Sequence, residues 1–391
     1  MKLSSPLANS LLFALLVLIM AGSAFGAGYL FRAHQSPSAD FPLLGEAYQI
    51  VQNHGLKELP ASPALQYGMI RGMLQAYDDP FTVFVEPVQH ELESNALQGS
   101  FGGIGVELST DAEGYVVLFP FPSGTAIEAG VQDGDRLLQV DDTPIPPGMP
   151  VSDVQSAIRG PVGETVALLI ARPPDYQTQI IKIKRREVAL PTVTRRLDLS
   201  DARVGILNIN LIAATTASEL QDAVYDLQSK GASYFVLDLR DNPGGLLDAG
   251  VDVARLFLTE GEIITRQYRG QEAETYAVDQ PGPLAELPLV VVVNHGCASA
   301  AEIIAGALQA RGRARLVGAP TFGKDSIQLV FTLSDQSSLH ITAAQWWVPG
   351  LQYEISANGL QPDIQVEPPA NADAGDTTLQ AAVQAVLELA P

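Results

Sequence analysis

A single cysteine, Cys297, stands in 391 residues, so no intrachain disulfide can brace the fold. Its neighbours are small and apolar, a setting that suits an inert, packed thiol better than a reactive one. Basic residues are scarce too: 23 Lys and Arg against 44 Asp and Glu leave a formal net charge of −21. That balance argues against nucleic acid or an anionic lipid surface held by a large basic face. The one dense basic cluster, Lys182–Arg186, lies among strand-forming residues and reads as a solvated edge. Histidines number only five. Of these, His295 and His340 lie near candidate elements, yet neither belongs to a motif that would build a Ser-His-Asp triad.

What the chain has instead is apolar residues, 47% of the total, over a length that exceeds one ordinary core. Two or three domains are expected. Leu11–Phe31 carries no charge and is flanked by Lys2 and Arg32. It is long enough to span a bilayer, and its Leu11–Met20 core followed by small residues also suits a signal peptide. A cleaved signal and an uncleaved anchor over residues 1–33 both remain open. Either one places the rest of the chain outside the cytoplasm and, if uncleaved, at a membrane. After a polar linker, Leu44–Val51 and Ala64–Ala76 show helical periodicity, ended by Asp78-Asp79-Pro80. Residues 41–96 therefore read as a small helical segment that buries little alone and is expected to dock on a neighbour.

In the middle, Phe101-Gly-Gly-Ile-Gly-Val106 places closely spaced glycines ahead of an alternating strand. Such a turn exposes successive N–H groups, a nest suited to a carboxylate. Strands at Tyr115–Phe119, Arg136–Val140 and Thr165–Ala171 follow, with short helices near Thr125 and at Val154–Ile158. Beyond a connection at 187–199, strands alternate with helices: Val204–Asn208, Ser218–Ser229, Tyr234–Leu239, Leu246–Leu258, Leu289–Val293 and Ala300–Gln309. That alternation predicts an α/β core. A polar, Ala-rich tail occupies 371–391, with a short helix expected over Thr377–Leu389.

Candidate chemistry gathers where the buried run Leu289–Val293 hands over to the Ala-rich helix. Ser299 sits at that helix N-terminus. Most serines so placed do no more than cap the helix. A nucleophile beside free N–H groups would occupy the same position. The turn Asn242-Pro-Gly-Gly245 is a second source of such donors. Lys324, in Thr321-Phe-Gly-Lys324, can replace histidine as a general base if burial lowers its pKa from about 10.4. Gln328, four residues on, shares its side of the strand and can orient the amine. This half thus offers a nucleophile, a base and the backbone amides of Gly245 and Ala300, the parts an acyl-transfer site requires.

The middle segment, residues 97–186, resembles a PDZ domain. The resemblance implies a groove that takes a peptide as an added strand and holds its terminal carboxylate. Phe101, Gly102, Gly103, Ile104, Gly105 and Val106 would form the carboxylate loop. Arg159 is either a cation near that carboxylate or an ordinary surface arginine. From about Phe41 to Val366 the chain resembles the carboxyl-terminal processing peptidases, or tail-specific proteases. The motifs that carry this are Asp79-Pro-Phe-Thr, Phe-Gly-Gly-Ile-Gly, Asp238-Leu-Arg-Asp-Asn-Pro-Gly-Gly, Ala298-Ser-Ala-Ala-Glu302 and Gly318-Ala-Pro-Thr-Phe-Gly-Lys324.

The resemblance implies a crotonase-like α/β core over 187–370 with an inserted PDZ domain that gates the site. It implies Ser299 as nucleophile, Lys324 as general base, Gln328 as the group that orients it, and the amides of Gly245 and Ala300 as oxyanion hole. Its substrates would be proteins with exposed apolar C-terminal tails, and no metal or organic cofactor is implied. The chain departs from the family pattern at Cys297 and Ala301, where serine is usual, and at Ala310, where some relatives carry aspartate. It departs also at Asp325, where glycine is usual; a carboxylate there would favour the charged amine unless it points away. A catalytically silent tail-binding scaffold and, less well matched, a crotonase-like acyl-coenzyme A enzyme are the competing expectations.

Overall fold

The computed structural model describes residues 41–122, 124–366 and 375–389. The apolar segment Leu11–Phe31 lies outside them, as does the start of the polar tail at Asn371. Residues 41–76 separate as a unit of their own, built from α1 (Pro42–His54) and nearly all of α2 (Ser62–Tyr77). Pro42 opens α1 at a position where its missing N–H costs nothing. Neither helix buries a side chain.

The larger unit begins with β1 (Val83–Val85), α3 (Pro87–Leu97) and β2 (Ser100–Gly103). A small β-rich domain follows: β3 (Val106–Thr110), β4 (Val116–Pro120), α4 (Thr125–Glu128), β5 (Asp135–Val140), β6 (Thr143–Pro144), α5 (Val151–Ile158), β7 (Thr165–Arg172) and β8 (Gln177–Lys184). Its sheet runs β3-β4-β5-β7-β8, every pair antiparallel. Leu118, Leu137, Val154, Leu168 and Ile183 fill its core. β9 (Arg186–Ala189) then returns beside β2, so the small domain hangs on two paired strands. The basic cluster here is only partly a solvated edge. Strand alternation turns Lys182 and Lys184 outward but carries Arg185 inward after Ile181 and Ile183. Arg185 is 6% exposed, and its Nε donates to the Ile158 carbonyl at 2.8 Å.

The core proper contains β10 (Val193–Leu197), β11 (Val204–Ile209), α6 (Thr216–Ser229), β12 (Tyr234–Asp238), α7 (Leu247–Phe257), β13 (Glu262–Tyr268), β14 (Glu274–Ala277), β15 (Leu289–Val293), α8 (Ala300–Ala310), β16 (Arg315–Gly318), β17 (Ser326–Thr332), β18 (Ser338–Trp347), α9 (Ile355–Asn358), β19 (Ile364–Gln365) and α10 (Thr377–Leu387). One sheet has the order β10-β11-β12-β15-β16-β19, parallel from β11 onward. β15 is buried along its whole length because both faces are covered. Leu289, Val291 and Val293 face the cluster built with α6, α7 and α8. Val290 and Val292 face Leu379, Val383 and Val386 of α10. Small residues let α7 and α8 approach: a Cβ on Gly250 would stand 3.2 Å from the Ala300 Cβ.

A second sheet has the order β1-β18-β13-β14, with β17 on the free side of β18. Here the structure departs from expectation. The segment 41–96 is not all helical, since Val83–Val85 pairs antiparallel with Ser338–His340. The stretch 187–199 is not a bare connection, for it supplies most of β9 and all of β10. Short strands whose partners lie far along the chain leave little periodicity of their own.

Candidate active site

A cavity of about 430 Å³ opens at the carboxyl end of β12 and β15, and Ser299, Ala300, Gly245, Lys324 and Gln328 all line it. Its walls are mainly apolar, with Leu247, Ile303, Ile327 and Trp346 among them. Ser299 ends the turn out of β15 at φ 53°, ψ −119°, a conformation that costs a non-glycine residue energy and needs support. That support is Glu302, whose carboxylate accepts the Ser299 N–H at 2.8 Å in a capping-box pair. Helix cap and cavity wall are therefore the same residue.

The loop leaving β12 is braced by Asn242. Its Nδ2 donates to the Ile209 carbonyl at 2.7 Å, and its Oδ1 accepts the Gly244 N–H at 2.8 Å. Ile212 donates to the Gly244 carbonyl and accepts from Leu246, at 2.9 and 2.8 Å. The intervening Gly245, at φ +146°, turns its N–H the other way. Neither the Gly245 nor the Ala300 N–H has an acceptor among the described residues. The two loops are also tied to each other. Ala298 donates to the Asn242 carbonyl at 3.0 Å. Asp241 and Asn294 exchange hydrogen bonds of 3.0 and 2.9 Å, backbone N–H to Oδ1 and Nδ2 to Oδ1.

Glu302 is fully buried and reaches further than its own helix. One oxygen accepts from Thr321 Oγ1 at 2.5 Å and the Gly323 N–H at 2.7 Å; the other accepts the Lys324 N–H at 2.9 Å as well as that of Ser299. Burial pushes its carboxyl pKa up, against the opposing pull of these four donors. In the sequence it reads only as an acidic residue in a first helical turn. Its true position, between serine loop and lysine loop, depends on residues some twenty positions away and has no local signal.

Lys324 is half-buried, and desolvation pushes its pKa down while Glu302 and Asp79 oppose the shift. Its Nζ donates to Gln328 Oε1 at 2.9 Å and lies 5.0 Å from the Phe81 ring centroid. The Gln328 amide in turn donates to the Phe81 carbonyl. Thr82 Oγ1 bonds Asp79 at 2.5 Å and accepts from the Thr342 N–H at 3.1 Å, which fixes this short segment against β18. Phe81 is thus a site residue that only its motif flagged. Asp325 lines a separate groove with Trp347 and Tyr353, and it is not among the charges that shift Lys324. Cys297 is buried, and burial raises its thiol well above the ordinary range, as expected for an inert thiol. His295 rests against Phe322, with ring centroids 5.7 Å apart.

In the small domain, a groove of about 100 Å³ is lined by Phe101, Gly103, Ile104, Gly105, Val106 and Arg159, among others. Gly105 takes φ +71° at the turn into β3. Gly102 serves packing instead: a Cβ there would lie 2.0 Å from the Gly160 carbonyl oxygen. The Arg159 guanidinium stacks over the Phe101 ring at 4.5 Å.

A serine at a strained helix start, a half-buried lysine and two unpaired backbone amides make up the equipment of a serine-type hydrolase. Residues 203–366 match Peptidase family S41, and residues 122–172 match a PDZ domain. The chain is 37% identical over 332 residues to a carboxyl-terminal-processing protease of Picosynechococcus sp., covering 83% of this chain and 78% of that one. It is 32% identical over 358 residues to the chloroplastic C-terminal processing peptidase of Tetradesmus obliquus, covering 86% and 76%. A solved structure of a photosystem II D1 C-terminal processing protease shares 31% identity, with 87% and 90% coverage and a TM-score of 0.48. The chain belongs to the carboxyl-terminal processing proteases of Peptidase family S41, serine-type peptidases, and carries their PDZ domain. The expectation of an α/β multidomain peptidase holds, and the acyl-coenzyme A reading is set aside.

Proposed function

We propose that Ser299 and Lys324 form the catalytic dyad and that substrates are proteins whose exposed apolar C-terminal tails enter the PDZ groove. The observation that carries this is the half-buried Lys324, its pKa lowered by desolvation and its Nζ held by Gln328 at 2.9 Å, in one cavity with Ser299. The neutral amine takes the Ser299 Oγ proton as Oγ bonds the scissile carbonyl carbon. The carbonyl oxygen becomes an oxyanion facing the Gly245 and Ala300 N–H groups. Collapse breaks the C–N bond, and the Lys324 ammonium gives its proton to the leaving amine. Water then attacks the ester, Lys324 takes its proton and returns one to Ser299.

We place the tail's carboxylate at the Gly103–Val106 turn, with Arg159 at its edge. The domain limits proposed are 41–96, 97–186, 187–370 and 371–391. Residues 1–33 are read as export signal or membrane anchor, which puts the peptidase outside the cytoplasm; among the described residues no helix is long and apolar enough to cross a membrane. The silent-scaffold reading rested on Asp325, a residue that lines the other groove and is not among the charges acting on Lys324. The test is cleavage of a protein bearing an apolar tail by the full chain beside Ser299→Ala and Lys324→Ala, with folding checked by circular dichroism. Turnover by wild type and loss in both folded variants is the expected result. Binding without cleavage by folded wild type would overturn the dyad.

A further inference from the structure

The cavity that holds Ser299 and Lys324 carries two more titratable side chains, Glu93 and His340, which the acyl-transfer scheme leaves idle. They come from distant parts of the chain, Glu93 from α3 and His340 from β18, where it pairs with Val330 of β17. Gln328 and Val330 both line the cavity. Two residues along a strand span roughly 7 Å. The Glu93–His340 corner therefore lies one substrate residue or so beyond the group that holds the lysine.

His340 Nε2 lies 3.9 Å from Glu93 Oε2 and 3.2 Å from Ser338 Oγ. Burial pushes the imidazole below its ordinary value; His90 and Lys324 push the same way, and Glu93 opposes them. An uncharged imidazole leaves the Glu93 carboxylate without a full cation at its side. Its Oε1 accepts from Gln89 at 2.8 Å, so Oε2 is the oxygen turned toward the cavity corner. The approach to that corner is apolar, along Ala96, Leu97 and Ile327. A trough of this kind, greasy along its length and anionic at its end, matches a side chain with an aliphatic stem and a donor head.

We propose that Glu93, with His340 beside it, forms a subsite that selects a substrate residue with a basic side chain close to the scissile bond. This rests on reading the cavity as the peptidase site. It adds a charge preference to a tail otherwise expected to be apolar.

The test uses the full chain carrying Ser299→Ala and fluorescent peptides amidated at the C-terminus, scanned singly with lysine or norleucine near the intended cleavage site. Binding is read by fluorescence anisotropy. At one position lysine should bind about tenfold tighter than norleucine, the scale of a hydrogen bond to a charged group. Adding Glu93→Gln should bring that ratio close to one, and Glu93→Lys should turn the preference toward a glutamate peptide. Should Glu93→Gln fail to melt cooperatively, His340→Asp, which places a second carboxylate at the corner, should raise the lysine ratio. Equal binding at every position, or a lysine preference that survives both Glu93 variants, overturns the subsite. Cleavage by wild type is measured separately. If it is absent, the dyad falls while the binding ratios still judge the subsite. Glu93 does not line the PDZ groove, so a ratio that follows Glu93 reports the core cavity.

Discussion

Replacing Gly245 by alanine tests the proposed oxyanion hole through backbone geometry rather than by deleting a side chain. Gly245 sits at φ +146°, and an added Cβ would lie 2.0 Å from the Ile212 carbonyl oxygen. That oxygen cannot swing aside freely, because it accepts the Leu246 N–H at 2.8 Å. The loop itself must move, and the Gly245 N–H moves with it. Losing one oxyanion donor typically lowers kcat by about 10² to 10³, or roughly 2.7–4 kcal/mol of transition-state stabilisation. Local strain should cost another 1–3 kcal/mol or so of folding stability. Gly312→Ala is the control: its φ of +63° lies in the left-handed region, which alanine enters at a smaller cost, and nothing lies within 4 Å of an added Cβ. The assay is steady-state cleavage of a fluorogenic peptide, with thermal unfolding of each variant. Gly245→Ala should lose kcat with little change in KM, while Gly312→Ala loses only stability. A Gly245→Ala enzyme that keeps kcat within a few-fold, or raises KM alone, would refute the reasoning.

Four further outcomes can be measured. With Lys324 as the proposed base, activity requires its neutral amine, so kcat/KM should rise with pH through a midpoint below about 10.4, the ordinary lysine value. Because the Asp79 anion holds that midpoint up, Asp79→Asn should move it lower in a pH profile and extend activity toward acid. Glu302→Gln keeps the shape but sets an NH₂ against two of the four donors now satisfied, costing roughly 1–3 kcal/mol in a urea titration along with a drop in kcat. Asp376 caps α10 through the Leu379 N–H at 2.9 Å and also pairs with Arg240 at 2.7 Å. Asp376→Ala should lower the urea midpoint by an amount worth about 1 kcal/mol; an unchanged midpoint would show that the cap does not hold α10 against the sheet.

The parts of the site readable in the sequence are those with local causes. Ser299 stands out because a doubly covered strand must be apolar throughout, and an Ala-rich helix packed on every side must follow it. Gln328 does meet Lys324, but strand alternation is not what brings it there, because Lys324 precedes β17 and the ladder is irregular between Ile327 and Gln328. Burial of Lys324 is not local. Phe81, whose ring centroid lies 5.0 Å from Nζ, comes from 243 residues earlier and is held in place by Asp79, Thr82 and Thr342. β1 is equally hidden, a three-residue strand whose register is set by β18. Glu302 has the sequence context of any first-turn acid, and only the return of the 321–324 loop makes it the joint between the Ser299 and Lys324 backbones. Glu93 and His340 show no relation at all until α3 is laid across β18.

Sheet register explains how such scattered residues meet. Asp238 of β12 pairs with Val292 of β15, and Val293 of β15 pairs with Gly318 of β16. Three parallel neighbours therefore release their loops side by side at one edge, the carboxyl edge where open α/β sheets generally bind ligands. The first loop brings Gly245, the second Ser299 and Ala300, the third Lys324. Adjacency alone would leave each loop free to drift, and a shift of 1 Å is enough to misplace an oxyanion donor. Two fasteners remove that freedom. Asn294 with Asp241, and Asn242 with Ala298, join the first loop to the second. Glu302 joins the second to the third through the backbones of Ser299 and Lys324. Both fasteners grip backbone amides, while the Lys324 amine is held separately, by Gln328 at 2.9 Å. In the proposed dyad the Ser299 hydroxyl and the Lys324 amine exchange a proton while the peptide planes around them stay fixed, which is the preorganisation that an oxyanion hole built from main-chain donors requires.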